Sequence, residues 1–136
     1  MLSITVPGEP VGKARPRVTK FGAYTPTKTV NYETLVKEMF AIKYPDHKPY
    51  EGQIEIIVTA YFGIPVSRSN KIKELMAEGD IKPCKKPDCD NILKIVSDAL
   101  NSMAYEDDKQ IVTAHIAKYY TDVNPRVEIQ VMERGM

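Results

Sequence analysis

Residues 82–110 constrain this chain more tightly than any other stretch: one short helix must bury an apolar stripe while a crowd of carboxylates stays in water. Pro87 bars a helix before it, and Asp88 or Asp90 is placed to cap one that starts near Asn91. Ile92, Val96, Ala99, Leu100 and Met103 recur at helical spacing and give the stripe to be buried. Asp90, Lys94, Asp98 and Asn101 fall on another stripe, four, four and three residues apart, so their side chains are neighbours along the helix. Between positions 87 and 108 there are six acidic residues and a single base, Lys94.

The segment 104–109 leads into a strand predicted over 110–119. A chain that leaves the helix and turns straight back brings Asp107 or Asp108 beside Asp88 and Asp90. Three carboxylates at a helix start and a strand start suit a hard cation, and Mg²⁺ is usually held by one or two carboxylates with water and substrate phosphate oxygens. Lys94, one helical turn from Asp90, is within reach of the same phosphate and of the charge that develops on it. The plainer reading makes Asp88 or Asp90 a cap, Asp98 surface charge and Asp107–Asp108 a turn. An EF-hand starting at Asp88 is excluded, because its fifth, sixth and twelfth positions hold Ile92, Leu93 and Ala99 in place of a ligand, a glycine and a glutamate.

Three linked motifs fill this stretch: Lys-Pro-Asp-x-Asp-Asn-x-x-Lys from Lys86 to Lys94, Asp-Ala-Leu-Asn from Asp98 to Asn101, and Tyr-Glu-Asp-Asp-x-Gln-Ile from Tyr105 to Ile111. Together they resemble the RusA family of Holliday junction resolvases, most densely over residues 82–120 and more loosely over nearly the whole chain. The resemblance implies a small, homodimeric, Mg²⁺-dependent endonuclease, with Mn²⁺ as a substitute ion. It further implies cleavage of the phosphodiester backbone of four-way DNA junctions in recombination and repair, often in phage or prophage settings. Carried over by position, the acidic residues of the family fall on Asp88, Asp90 and Asp108, and its catalytic lysine on Lys94. Asp107 matches an acidic position whose role the resemblance leaves open.

The rest of the chain agrees with a small enzyme. At 136 residues a single domain over 1–136 with one core is expected, and 43% hydrophobic with 27% charged residues argues against disorder. No apolar run approaches a bilayer span, and the N-terminus lacks the features of a signal peptide, so a cytoplasmic location is the expectation. Cys84 and Cys89 have no further thiolate or imidazole ligands nearby for zinc, since His47 and His115 stand alone; Cys89 is expected to pack inward.

The net charge of +1 hides segregation. Residues 13–28 hold Lys13, Arg15, Arg17, Lys20 and Lys28 and no acid, with Phe21 and Tyr24 interleaved and Gly12, Pro16, Gly22 and Pro26 as breakers. Such a segment is a solvated loop or a grip on a phosphate backbone, with rings available to stack on bases. The adjacent phosphodiesterase motif favours DNA contact, through Lys13, Arg15, Arg17 and Lys20. A second belt, Arg68, Lys71, Lys73, Lys82, Lys85 and Lys86, precedes the carboxylates, and Lys85 and Lys86 join the expected DNA contacts.

Alternation predicts strands at Leu2, Ile4 and Val6, over 53–62, over 110–119, and at Val127, Ile129 and Val131. A helix over 30–43 presents Tyr32, Leu35, Val36, Met39, Phe40 and Ile42, and a short one capped by Ser67 or Ser69 closes at Gly79. The order β-α-β-α-α-β-β makes an α+β domain, a four-stranded, partly antiparallel mixed sheet with helices packed on it. Two rival functions are a non-catalytic branched-DNA-binding module and a nucleotide-sugar transferase. A pure binder gains nothing from carboxylates where phosphates dock, and the chain has no glycine-rich strand-to-helix loop for a nucleotide.

Overall fold

Alternating apolar residues lay down the sheet. In a computed structural model that describes residues 1–135, the chain runs β1 (Leu2–Pro7), β2 (Arg17–Thr19), β3 (Gly22–Tyr24), α1 (Thr27–Lys43), β4 (Ile54–Gly63), α2 (Asn70–Glu78), α3 (Cys89–Ala99), a 3-10 turn (Asp108–Gln110), β5 (Ile111–Thr121) and β6 (Arg126–Glu133). The four long strands form one mixed sheet in the order β1-β6-β4-β5. β6 is antiparallel to both neighbours, whereas β4 and β5 are parallel, the pairing that intervening helices allow. The α+β class and the element order agree with expectation. The addition is the small β2–β3 hairpin inside the basic segment.

Register keeps every apolar row on one face. Ile4 and Val58 both pair with Ile129, Leu2 and Ile56 with Val131, and Val6 and Ala60 with Val127. All of these are buried, under Tyr32, Val36 and Phe40 of α1 and Ile92, Ile95, Val96 and Ala99 of α3. Burial of each such aliphatic side chain contributes about 1.5–3 kcal/mol relative to exposure. α1 packs on α3 and β1, and α3 also packs on β5. On the other face, Ile57, Thr59, Tyr61, His115, Ala117 and Gln130 are none of them buried.

One expected core residue is displaced. Ile42 is 75% exposed, because it lies two residues and so about 200° around the helix from buried Phe40. Ser69, rather than Ser67, caps α2 by accepting from the Ile72 N–H at 3.4 Å. His47 Nε2 donates to the Ala104 carbonyl at 3.0 Å and His115 sits 3.2 Å from Glu55, so both imidazoles are engaged locally. Cys84 is exposed and Cys89 half-buried, both as free thiols. Among the described residues, no helix is long and apolar enough to cross a membrane.

Candidate active site

Helix α3 is held by its apolar stripe, which leaves its polar stripe facing outward along the rim of the core. Asp88 occupies the N-cap position with extended backbone, yet its side chain makes no capping hydrogen bond. Its carboxylate is therefore not consumed by the helix. Asp90 lies in the first turn, where the helix dipole favours a negative charge. One turn on, the Lys94 ammonium stands 3.3 Å from Asp98 Oδ1 and 4.0 Å from Asp108 Oδ2.

The return of the chain from α3 to β5 is what delivers Asp108. Tyr105, fully buried, donates its hydroxyl to the Ser97 carbonyl at 2.7 Å and ties the turn to the helix. Asn101 Oδ1 accepts from the Asp108 N–H at 2.7 Å and fixes its backbone. The two adjacent aspartates then divide their work. Asp107 is a cap: its carboxylate accepts from the Lys109 N–H at 2.8 Å, and Gln110 Oε1 accepts from the Asp107 N–H at 2.9 Å. Asp108 turns instead toward Lys94 and Asp98. Burial raises the pKa of Asp108; Lys94 opposes that shift, while Asp107 and Asp98 add to it.

Two openings meet at Asp90. A cavity of about 200 Å³ is lined by Asp90, Leu93, Lys94, Ser97, Asp108 and Ile111. A wider cleft of about 490 Å³ is lined by Lys13, Arg15, Lys86, Asp88 and Asp90 among others. Arg17, Lys28 and Lys86 line a third, adjoining hollow. Carboxylates and one ammonium thus face a small recess, and a basic trough runs up to it.

The fit to a divalent cation rests on this donor set. Among the described residues, no three His, Cys, Asp or Glu side chains are gathered closely enough to hold a metal ion between them. Asp90 and Asp108 do share one recess, and Mg²⁺ is ordinarily bound by one or two carboxylates completed by water and phosphate oxygens. The pair fits such an ion. Asp88 lines the neighbouring cleft with Asp90, so the three aspartates flank one another without closing a cage.

The basic residues divide as well. Arg15 and Lys86 face the cleft, and Lys20 lies exposed on the hairpin. Lys13 lines the same cleft, but unlike them it is paired with carboxylates. Its ammonium is 3.0 Å from Glu33 and 3.2 Å from Asp98, and although burial depresses its pKa, these two partners raise it overall. Lys85 stands 5.8 Å from the Phe62 ring and 5.9 Å from that of Tyr120, at the end of β4 and β5. Asp98, surface charge in the plainer reading of the sequence, bridges Lys13 and Lys94 through its two oxygens.

Sequence reasoning missed the positioning parts. Gly12 lies where any Cβ would come within 2.7 Å of Pro87 Cβ, and beside it the Lys13 N–H donates to the Asn91 carbonyl at 2.8 Å. This contact fastens the root of the basic segment to the start of α3. In the sequence Gly12 carried only the signal of a loop breaker. Asn101 was visible on the polar stripe, but nothing in its spacing marked it as the acceptor that holds Asp108.

Comparisons with known proteins bear on the whole chain. It is 35% identical over 137 residues to the uncharacterized protein YqaN of Bacillus subtilis (strain 168), covering 97% of this chain and 96% of that protein. The sequence profile of the family described as endodeoxyribonuclease RusA matches residues 7–132, from the end of β1 almost to the end of β6. With Asp90, Lys94 and Asp108 of the motif around one recess and a match this long, the chain belongs to the RusA endodeoxyribonuclease family.

Proposed function

We propose that this protein is a divalent-metal-dependent endonuclease that resolves four-way DNA junctions, and related branched DNA, in recombination and repair. The observation that carries the reading is the meeting of two unlike surfaces at Asp90: a recess with Asp108 and Lys94, and a trough with Arg15 and Lys86. A phosphodiester lying in the trough has its backbone neutralised by arginine and lysine and one phosphate presented to the carboxylates.

Asp90 and Asp108 would hold Mg²⁺, or Mn²⁺ in its place, with Asp88 as a further ligand. The ion supplies an activated water and draws charge from the phosphoryl oxygen. The chain's own residues do the rest. Lys94 donates to the oxygens on which charge accumulates as the phosphorus–oxygen bond to the leaving sugar breaks. Asp98 positions that ammonium, and is itself restrained by Lys13. Asn101 keeps Asp108 oriented through its backbone. A two-fold homodimer completes the proposal, since a four-armed substrate offers two symmetry-related strands to two equivalent sites.

The test incubates the protein with labelled four-way junction and matched linear duplex, with and without Mg²⁺, after light scattering at micromolar concentration. The expected result is a dimer that cuts the junction symmetrically, only with the ion, and leaves the linear duplex whole. Tight junction binding with no cutting in either Mg²⁺ or Mn²⁺ would make the protein a binding module. Equal nicking of both substrates would remove branch selectivity.

A further inference from the structure

The β2–β3 hairpin is built unlike any other part of the chain. It pairs Arg17 with Tyr24, Val18 with Ala23 and Thr19 with Gly22, and Lys20 and Phe21 form its tip. The turn is ordered by its own hydrogen bonds. Thr19 Oγ1 accepts from the Phe21 N–H at 3.2 Å and donates to the Gly22 carbonyl at 3.2 Å. Gly22 has a φ of 118°, a conformation that side chains rarely adopt, so the glycine is what lets the tip close. The result is a ring held out on purpose: Phe21 is 89% exposed, with the Lys20 ammonium 5.1 Å from its centroid. Val18 and Tyr24 are exposed beside it.

A two-stranded hairpin is marginal by itself and gains nothing from presenting a phenylalanine to water. An exposed apolar side chain of this size in an ordered turn points to a partner. The surroundings give that partner's chemistry. Arg15, Arg17, Lys20 and Lys28 are all exposed, and among the described residues none has a carboxylate within ion-pair distance. Arg17 and Lys28 line the hollow that adjoins the cleft of Asp88 and Asp90. An aromatic ring beside Lys20, on a hairpin whose foot at Arg17 borders the hollow next to the cleft, matches a nucleic-acid base attached to its phosphates.

We propose that Phe21 stacks on a base at the branch point and thereby distinguishes a junction from continuous duplex. This rests on the reading of branched DNA as the substrate. In linear duplex every base is already stacked, and freeing one is unfavourable. Where four arms meet, stacking is interrupted, so a ring finds a base face at little cost. The cations bind both forms alike, because phosphates are common to both. Phe21 supplies the difference.

The test compares wild type, Phe21→Ala and Phe21→Trp without metal, by anisotropy on a labelled four-way junction and the matched duplex. Loss of one base–ring stack weakens binding by roughly 5- to 150-fold. Phe21→Ala should therefore lose that much junction affinity while its duplex affinity, salt dependence and dimeric state stay as in wild type. Phe21→Trp should bind as wild type does. Because the chain has no tryptophan, this variant also carries a single indole whose emission should be quenched on the junction and not on the duplex. An unchanged junction-to-duplex ratio in Phe21→Ala, or an indole unaffected by bound junction, overturns the proposal. So does dissociation of Phe21→Ala into monomers, which would make the ring a subunit contact. A wild type that does not prefer junctions defeats the substrate reading itself, and the wild-type arm alone reports that.

Discussion

Helix α3 borders the cleft, the β2–β3 hairpin borders the adjoining hollow through Arg17, and the two are anchored in opposite ways. Ile92, Ile95, Val96 and Ala99 of α3 are completely buried, whereas every residue of β2 and β3 is exposed. The basic segment is fastened at its root: Lys13 N–H to Asn91, the Lys13 ammonium to Glu33 and Asp98, and Ala14 N–H to Thr29 Oγ1 at 3.3 Å. Beyond residue 14, cations and rings project from a short hairpin. The difference separates two requirements. Groups that act on a phosphorus must hold their geometry within a fraction of an ångström, and α3 takes that rigidity from the core. Groups that follow a bent backbone need reach, and an exposed hairpin provides it.

If this division holds, mutations on the two elements move different observables. The largest effects belong to α3 and the turn after it. Asp90→Asn and Asp108→Asn keep side-chain size but remove a ligand charge, so cleavage with Mg²⁺ should fall by about 10³-fold or more. Junction affinity without metal should hold or rise, because a like charge opposite phosphate has gone. Lys94→Ala should slow single-turnover cleavage by about 10²–10³ at any Mg²⁺ concentration, since it removes a donor and no ligand. Single-turnover rates against Mg²⁺ concentration check all three. A near-native rate for Asp90→Asn would take the chemistry off this helix and leave its carboxylates as surface charge.

The next effect is on stability and compares the anchors themselves. Ile95→Ala empties a fully buried site under the sheet and should lower unfolding free energy by about 2–5 kcal/mol. Val18→Ala, at a position 82% exposed, should change it by no more than about 0.5 kcal/mol. Urea unfolding of the two variants measures both. A large loss for Val18→Ala would show that the hairpin is part of the folded core after all.

These two elements also differed in how far they were legible in the sequence. The helix announced itself through a helical repeat of apolar residues, and the sheet through strict alternation, because burial on one face imposes a period. The hairpin has no buried face, so its three-residue strands left no period to read, and the segment carried only its charge. Within the candidate site, the motif pointed to Asp88, Asp90, Lys94 and Asp108, but not to what holds them. Lys13 looked like the other bases of its segment; that its ammonium is paired depends on Glu33 and Asp98, which folding brings from 20 and 85 positions away. Asp88 looked like a cap and makes no capping bond, while Asp107, next to a matched residue, is the true cap. Distant partners of this kind decide roles, and local pattern does not contain them.

The smallest predicted effect is the one that most directly isolates the hairpin side. Arg15 lines the cleft beside Asp88 and Asp90, and Arg17 lines the adjoining hollow at the foot of the hairpin. Neither has a carboxylate partner among the described residues, so each guanidinium is available to a phosphate. Neutralising a phosphate releases a condensed counterion, so replacing each arginine by alanine should flatten the slope of log affinity against log salt by about 0.9 on duplex DNA. The loss should be the same on junction and duplex, because phosphate contacts carry no information about branching. It should also leave the single-turnover rate at saturating enzyme unchanged for Arg17→Ala, which is farther from the carboxylates. Titrations at several salt concentrations with both DNAs would settle the matter. A slope that stays at the wild-type value while cleavage collapses would move the arginines from the grip to the chemistry, and the division between rigid helix and projecting hairpin would no longer describe this protein.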